Sequence, residues 1–188
     1  RMAEYTDGIE RINIELSLRN KIALCDELAA FFSRGDLPLG QQDDAAGIAS
    51  AELLEDRVAQ ALEVVQDVRA LWQGWLQDVA TLFPQLQDHT LRASWKTQIR
   101  DPLATIFTGA AFQPIMDACT GMHQRVLKGR VWVALHMHAG DGNVHTNIPV
   151  NSDNYEMLQT AHGAVKRIMV LARSLDGVIS GEHGIGIT

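Results

Sequence analysis

An α+β fold, mainly helical with one small antiparallel sheet packed on the helices, is what this sequence predicts, and three observations carry that expectation. Four stretches repeat their apolar residues at three-and-four spacing, the signature of amphipathic helices. After Gly129 the period shortens to that of strands, in the runs VWVALHMH and NVHTNIPV, which are rich in β-branched residues. Between these runs Asp141-Gly142 is a two-residue hairpin signal.

Taken in order, the first helix is expected from Thr6 to about Arg34, where Ile12, Leu16, Ala23, Leu24, Leu28, Phe31 and Phe32 keep the spacing and Gly35 supplies a stop. Residues 35–49 mix Gly, Pro, Gln and Asp without a period and read as a surface loop. A second long helix is expected from Ser50, a candidate N-cap, through Leu54, Val58, Leu62, Val65, Val68, Trp72, Trp75 and Val79 to a break at Pro84. Trp72 and Trp75, set among Leu and Val, read as core rather than as a ligand platform. ASWKTQIRDPLATIF reads as a solvated turn with an ordinary Arg100 and Asp101 pair, the alternative being a loop that offers a substrate-facing cation. A third helix should run from about Phe112 to Lys128, with Pro114 in its first turn and Gly129 after its end.

The hairpin, at about 130–149, carries a geometric expectation. If Asp141 and Gly142 are its two loop residues, Gly140 pairs with Asn143, Ala139 with Val144, His138 with His145 and His136 with Asn147. Opposed residues share a face, as do residues two apart on one strand. His136, His138, His145 and Asn147 then lie on one side, and Leu135, Met137, Val144, Thr146 and Ile148 on the side that packs against helices. A last helix is expected from about Asp153 to Leu175, capped by the Asn151, Ser152, Asp153 cluster and closed at Asp176-Gly177. Its inward stripe is Leu158, Ala161, Val165, Ile168, Met169, Ala172 and Leu175, which leaves His162 beside the stripe as a structural residue. A short strand at about 177–180, GVIS, then leads into Gly181, Glu182, His183 and Gly184. Two divisions are expected: a helical insertion over 1–90 and the site-bearing part over 91–188. Because the chain opens on Arg1 and stops just past a glycine-rich loop, it reads as a piece of a longer polypeptide.

Composition narrows the function classes. A net charge of −7 with scattered Lys and Arg argues against nucleic acid as a partner. No apolar run approaches the roughly 20 residues of a bilayer span, and no signal-peptide pattern opens the chain, so a cytoplasmic protein is expected. The two cysteines, Cys25 and Cys119, are expected to be reduced and core or half-buried.

Four of the seven histidines fall in two short glycine-framed strings, HMHAGDGNVH at 136–145 and SGEHGIG at 180–186. Imidazoles on one strand face together with a later Glu-His pair supply the N and O donors that a divalent cation needs. Two imidazoles and one carboxylate leave positions open for substrate or water, as catalytic sites do. Gly140 and Gly142 suit a loop whose backbone approaches a ligand.

HAGDGNVH followed by SGEHGIG resembles the paired motifs in the C-terminal domain of FAD-linked oxidases and dehydrogenases that act on D-2-hydroxy acids such as D-lactate, glycolate and D-2-hydroxyglutarate. The longer runs RVWVALHMHAGDGNVHTNIPVNSDNYEMLQTAH and ARSLDGVISGEHGIG are most similar to the long bacterial YdiJ-like D-2-hydroxyglutarate dehydrogenases. The likeness covers positions 92 to 188, and the two N-terminal helices resemble the helical insertion of that subgroup. The resemblance implies that His138, His145 and Glu182 bind a divalent metal (Zn, Mn or Fe), that His183 is the general base, and that Asn147 contacts substrate. His136 has no such implied role and is expected either to support the metal ligands from behind or to line the substrate. FAD is implied for the full-length protein, with an iron-sulfur cluster elsewhere in it; no flavin loop or cluster-binding cysteine set stands in these residues, so this piece alone should be inactive. The expected partners are a small 2-hydroxy acid and the rest of the polypeptide, and a homo-oligomer is compatible with the sequence. Two other readings stay open: a metal-dependent hydrolase, which also uses HxH strands, and a non-catalytic helical interaction module whose histidines only serve hydrogen bonds.

Overall fold

The computed structural model of the protein describes residues 1–40, 44–138, 140 and 142–179, with the backbone alone over 44–53. Its contacts divide the chain into two compact units, one of Arg1–Ser17 with Gly129–Thr188 and one of Leu18–Lys128. Position 90, where the sequence motifs suggest a boundary, lies inside the second unit. Helix α1 (Met2–Phe32) contributes its first half to one unit and its second half to the other. No described helix is long and apolar enough to cross a membrane.

In the Leu18–Lys128 unit, α2 (Asp44–Gln77) starts six residues before Ser50. Ser50 is therefore not the cap, because the Ala-rich stretch after Asp44 is good helix-forming sequence despite Gly47. The expected break at Pro84 also moves. Asp78 leaves helical geometry (φ −109°, ψ 26°), and α3 (Val79–Gln87) carries Pro84 inside it. Proline has no N–H for the carbonyl of Ala80 and its ring crowds that carbonyl, so the weakened stretch lies on its N-terminal side.

The stretch expected as a turn is helical, in two pieces: a π-helical segment at Lys96–Arg100 and α4 (Asp101–Ile106), with Pro102 tolerated in the first turn of α4. Arg100 does pair with Asp101, through Nε at 3.0 Å and Nη2 at 2.8 Å. A 3-10 turn at Ala110–Phe112 leads into α5 (Gln113–Lys128). Trp72 is core, with no exposed surface, and its Nε1 donates to Gln98 Oε1 at 3.2 Å. Trp75 is half-buried. Both cysteines are free and fully buried, and burial pushes each thiol up to about 12.

The other unit is built on one core. Ile9, Ile12 and Leu16 of α1 meet Val131 and Val133 ahead of the sheet and Met157, Ala161, Ala164 and Ile168 of α6 (Tyr155–Ser174). Gly8 permits a close approach of α6 to α1, since a Cβ there would sit 2.5 Å from Leu171 Cδ2. The cap of α6 is Asn154, whose side chain accepts from the backbone N–H of Met157 at 3.0 Å. Asn151, expected within the cap, organises the turn before it by accepting from the Asp153 N–H at 3.1 Å. The buried stripe is set one residue earlier than expected, through Met157 and Ala164, while Val165 is 38% exposed. His162 is exposed.

The sheet has two strands, β1 (Ala134–His138) and β2 (Asn143–Asn147), paired antiparallel. Among the described residues of the expected third strand, 177–179 are irregular. The end of α6 explains this: Asp176 adopts φ +57° and the N–H of Gly177 folds back on the Ala172 carbonyl at 2.8 Å, which closes the helix and turns the chain away from an extended path.

Candidate metal and substrate face

The register of the hairpin decides which histidines meet. His136 opposes His145, Met137 opposes Val144, His138 opposes Asn143, and Ala134 opposes Asn147. The expected register, with His138 across from His145 and a two-residue turn, is therefore wrong by two positions: the connection is four residues, 139–142. Glycine is disfavoured in strand interiors, so carrying the ladder on to Gly140 gains little, and Gly142 at φ +69° takes the left-handed conformation that closes the longer loop.

Because the error is an even number of residues, the faces are as expected. His136, His138, His145 and Asn147 share one side. Asn143 joins them, a residue overlooked in the sequence although strand parity from His145 places it there. His136, His138 and Asn147 are exposed and His145 is half-buried.

The three imidazoles form a tight group. Ring centroids lie 5.2 Å apart for His136 and His138, 5.4 Å for His138 and His145, and 6.3 Å for His136 and His145. Two imidazoles bound tetrahedrally to one ion at about 2.0 to 2.1 Å per nitrogen have centroids about 5 Å apart. His136 with His138, at 5.2 Å, and His138 with His145, at 5.4 Å and with planes at 82°, are both close to that separation. The directly opposed pair, His136 and His145, is about 1 Å too wide. The donor chemistry thus fits a borderline divalent cation through His138 and His145, although no three His, Cys, Asp or Glu side chains form a complete metal set among the described residues. Glu182 and His183, the other two expected site residues, lie outside the described residues.

The opposite face of the hairpin is only partly core. Leu135 and Ile148 pack against the α1 and α6 cluster, but Met137 is 43% exposed. Val144 and Thr146 line a cavity of about 570 Å³ with Tyr5, Ile168 and Leu175, and none of the three histidines reaches it. Four of the seven residues of the expected α6 stripe, Val165, Met169, Ala172 and Leu175, border this space instead of being buried. Burial raises the Tyr5 hydroxyl above its ordinary value. Asn143, which shares the histidine side, also borders the cavity.

Residues 110–188 match the family of FAD linked oxidases, C-terminal domain. Over 176 residues, 86% of this chain, the sequence is 31% identical to a D-2-hydroxyglutarate dehydrogenase of Stutzerimonas stutzeri. It is 38% identical over 50 residues, 27% of the chain, to a probable mitochondrial D-lactate dehydrogenase of Danio rerio, and 51% identical over 49 residues, 26% of the chain, to a D-lactate dehydrogenase of Archaeoglobus fulgidus. The alignments span 37% of the first relative and 10% of each of the other two. No solved structure matches the chain.

Proposed function

We propose that this chain is the metal- and substrate-binding part of an FAD-dependent dehydrogenase that oxidises a D-2-hydroxy acid of the D-2-hydroxyglutarate or D-lactate type, and that alone it cannot complete the reaction. The observation that carries the proposal is the His138 and His145 pair, 5.4 Å between centroids on an open strand face, within the segment matched to the FAD-linked oxidase family. When bound, the flavin supplies a two-electron acceptor and the divalent cation (zinc, manganese or iron) supplies Lewis acidity toward the substrate hydroxyl.

The remaining tasks fall to the chain's side chains. His138 and His145 hold the cation as neutral imidazole donors, and Glu182 completes the set with a carboxylate. That composition leaves room for the carboxylate and the 2-hydroxyl of the substrate. His183 would accept the hydroxyl proton, and the bound flavin would supply the acceptor for the two electrons and the hydrogen lost from C2 as the hydroxy acid becomes a 2-oxo acid. An imidazole suits this step because its ordinary titration lies near neutral pH. Asn147 and His136 line the substrate on the same face. An iron-sulfur cluster elsewhere in the full-length protein would supply one-electron chemistry.

The test uses the full-length flavoprotein mixed anaerobically with D-2-hydroxyglutarate, D-lactate or glycolate. One of these is expected to bleach the flavin absorbance, and His183→Asn is expected to abolish bleaching while leaving FAD bound. Wild-type bleaching rates in that variant would remove His183 from its role, and no bleaching of the wild-type protein by any D-2-hydroxy acid would overturn the reading as a whole.

A further inference from the structure

One side chain of α1 grips the backbone that leads into the histidine strand. Asn13 Nδ2 donates to the carbonyl of Val133 at 2.9 Å, and the N–H of Val133 donates to Asn13 Oδ1 at 2.7 Å. A single amide thus makes both hydrogen bonds that a neighbouring strand would make to Val133. Both are partly shielded from water. Val133 itself and Val131 before it are buried in one cluster with Ile9, Ile12 and Leu16 of the same helix.

Why such a contact matters follows from the period of a strand. Val131, Val133 and Leu135 face the core, so a slip of one residue would bury His136 and His138, and the apolar pattern forbids it. A slip of two residues keeps the pattern intact. It would carry each histidine about 6.6 Å along the strand, far more than an ion-binding pair tolerates. Neither packing of small aliphatic residues nor a four-residue loop with two glycines distinguishes those two registers. The Asn13 pair reads backbone and not side chains, so its contribution is anchorage: it ties the strand entering β1 to α1 at Val133 and holds it there. Ile148, packed on the same core, ties down the other strand.

We infer that Asn13 is a positioning residue: by clamping the backbone of Val133 to α1 it holds the strand that runs into β1 and so steadies His138 beside His145. This rests on the proposed metal role of those histidines. It assigns a duty in the site to a residue 120 positions away in sequence.

The experiment compares Asn13→Leu and Asn13→Asp in the full-length protein, with cobalt(II) alone as the probe and hydrogen exchange by mass spectrometry over 131–148 as a readout independent of the metal. Asn13→Leu, matched in size but unable to bond Val133, is expected to weaken cobalt binding about 10- to 100-fold, the usual consequence of removing support from metal ligands. Its cobalt absorption bands should change and exchange over 131–148 should quicken, with bound FAD retained. Asn13→Asp keeps the acceptor for the Val133 N–H and should fall in between. Wild-type cobalt affinity, spectrum and exchange in Asn13→Leu would overturn the inference. Should Asn13→Leu fail to fold, Asn13→Asp decides, and unchanged binding and exchange there would overturn it. If the wild-type protein binds no cobalt, the metal reading fails by itself; exchange over 131–148 then decides for Asn13, quickened supporting the clamp and unchanged rejecting it.

Discussion

His136 stands directly across the hairpin from His145, yet its ring is the more distant one: the diagonal neighbour His138 comes to 5.4 Å from His145 while His136 stays at 6.3 Å. His138 is the ring near both others, 5.2 Å from His136 and 5.4 Å from His145, and the proposed function gives the metal to His138 and His145 and the substrate to His136. His138→Ala and His145→Ala are each expected to lower bound divalent metal at least tenfold, by elemental analysis of the full-length protein. His136→Ala should keep the metal and instead raise KM for the hydroxy acid, since it removes a side chain that lines the substrate. Equal metal loss in all three variants would show that His136 is itself a ligand.

Which of these features can be read before folding depends on how local the physics is. Strand parity is a property of neighbouring residues, and the runs around His136 and His145 display it; hence the shared face is legible. Register is not, because a shift of two residues changes no residue's side. Helix existence is similarly legible from spacing, whereas helix ends turn on single contacts: Asn154 rather than the Asn151 cluster caps α6, and Asp78 rather than Pro84 interrupts the second helix. The π-helical segment at Lys96–Arg100 was hidden because its sequence, with Trp95, Arg100 and Pro102 close together, has the composition of a turn.

The end of α6 holds a residue at a conformational cost. Asp176 sits at φ +57°, and the pair of bonds from its own N–H to the Arg173 carbonyl (3.1 Å) and from Gly177 N–H to the Ala172 carbonyl (2.8 Å) are those of a Schellman closure. Glycine adopts that backbone without strain, so Asp176→Gly should raise the unfolding free energy by about 1 kcal/mol. The ion pair it sacrifices, with Arg1, is mostly exposed and contributes little. A urea midpoint unchanged or lowered would contradict this.

Cys25 and Cys119 both have no exposed surface, and burial raises their thiols from 9.0 to about 12. For an acid whose folded pKa is raised, the neutral form is the one the fold favours. The associated stability is complete below the unfolded value and is lost as pH rises from about 9 to about 12, at up to about 1.4 kcal/mol per pH unit for each thiol. Replacing both with Ala should flatten the alkaline limb of the stability curve. In the native protein neither thiol should react with a thiol reagent at pH 8 until the protein unfolds.

His123 provides the acid-side counterpart. Its ring stacks on Trp95, with centroids 4.7 Å apart and planes 6° from parallel, and partial burial together with the nearby charge of Lys21 lowers its pKa below the ordinary 6.5. For a base depressed in this way the sign reverses. The stability it supports is present above about 6.5 and is lost as pH falls through the folded value, because the unfolded chain takes up the proton more readily. Lys21→Gln removes one of the two causes and should move the His123 titration upward, read as the pH at which its ring proton resonances shift. His123→Phe keeps a flat ring against Trp95 but carries no titration, so its unfolding midpoint should fall less than that of the wild type between pH 7 and 5. If both proteins lose stability in parallel over that interval, the acid sensitivity belongs to other groups and the stack is simply packing.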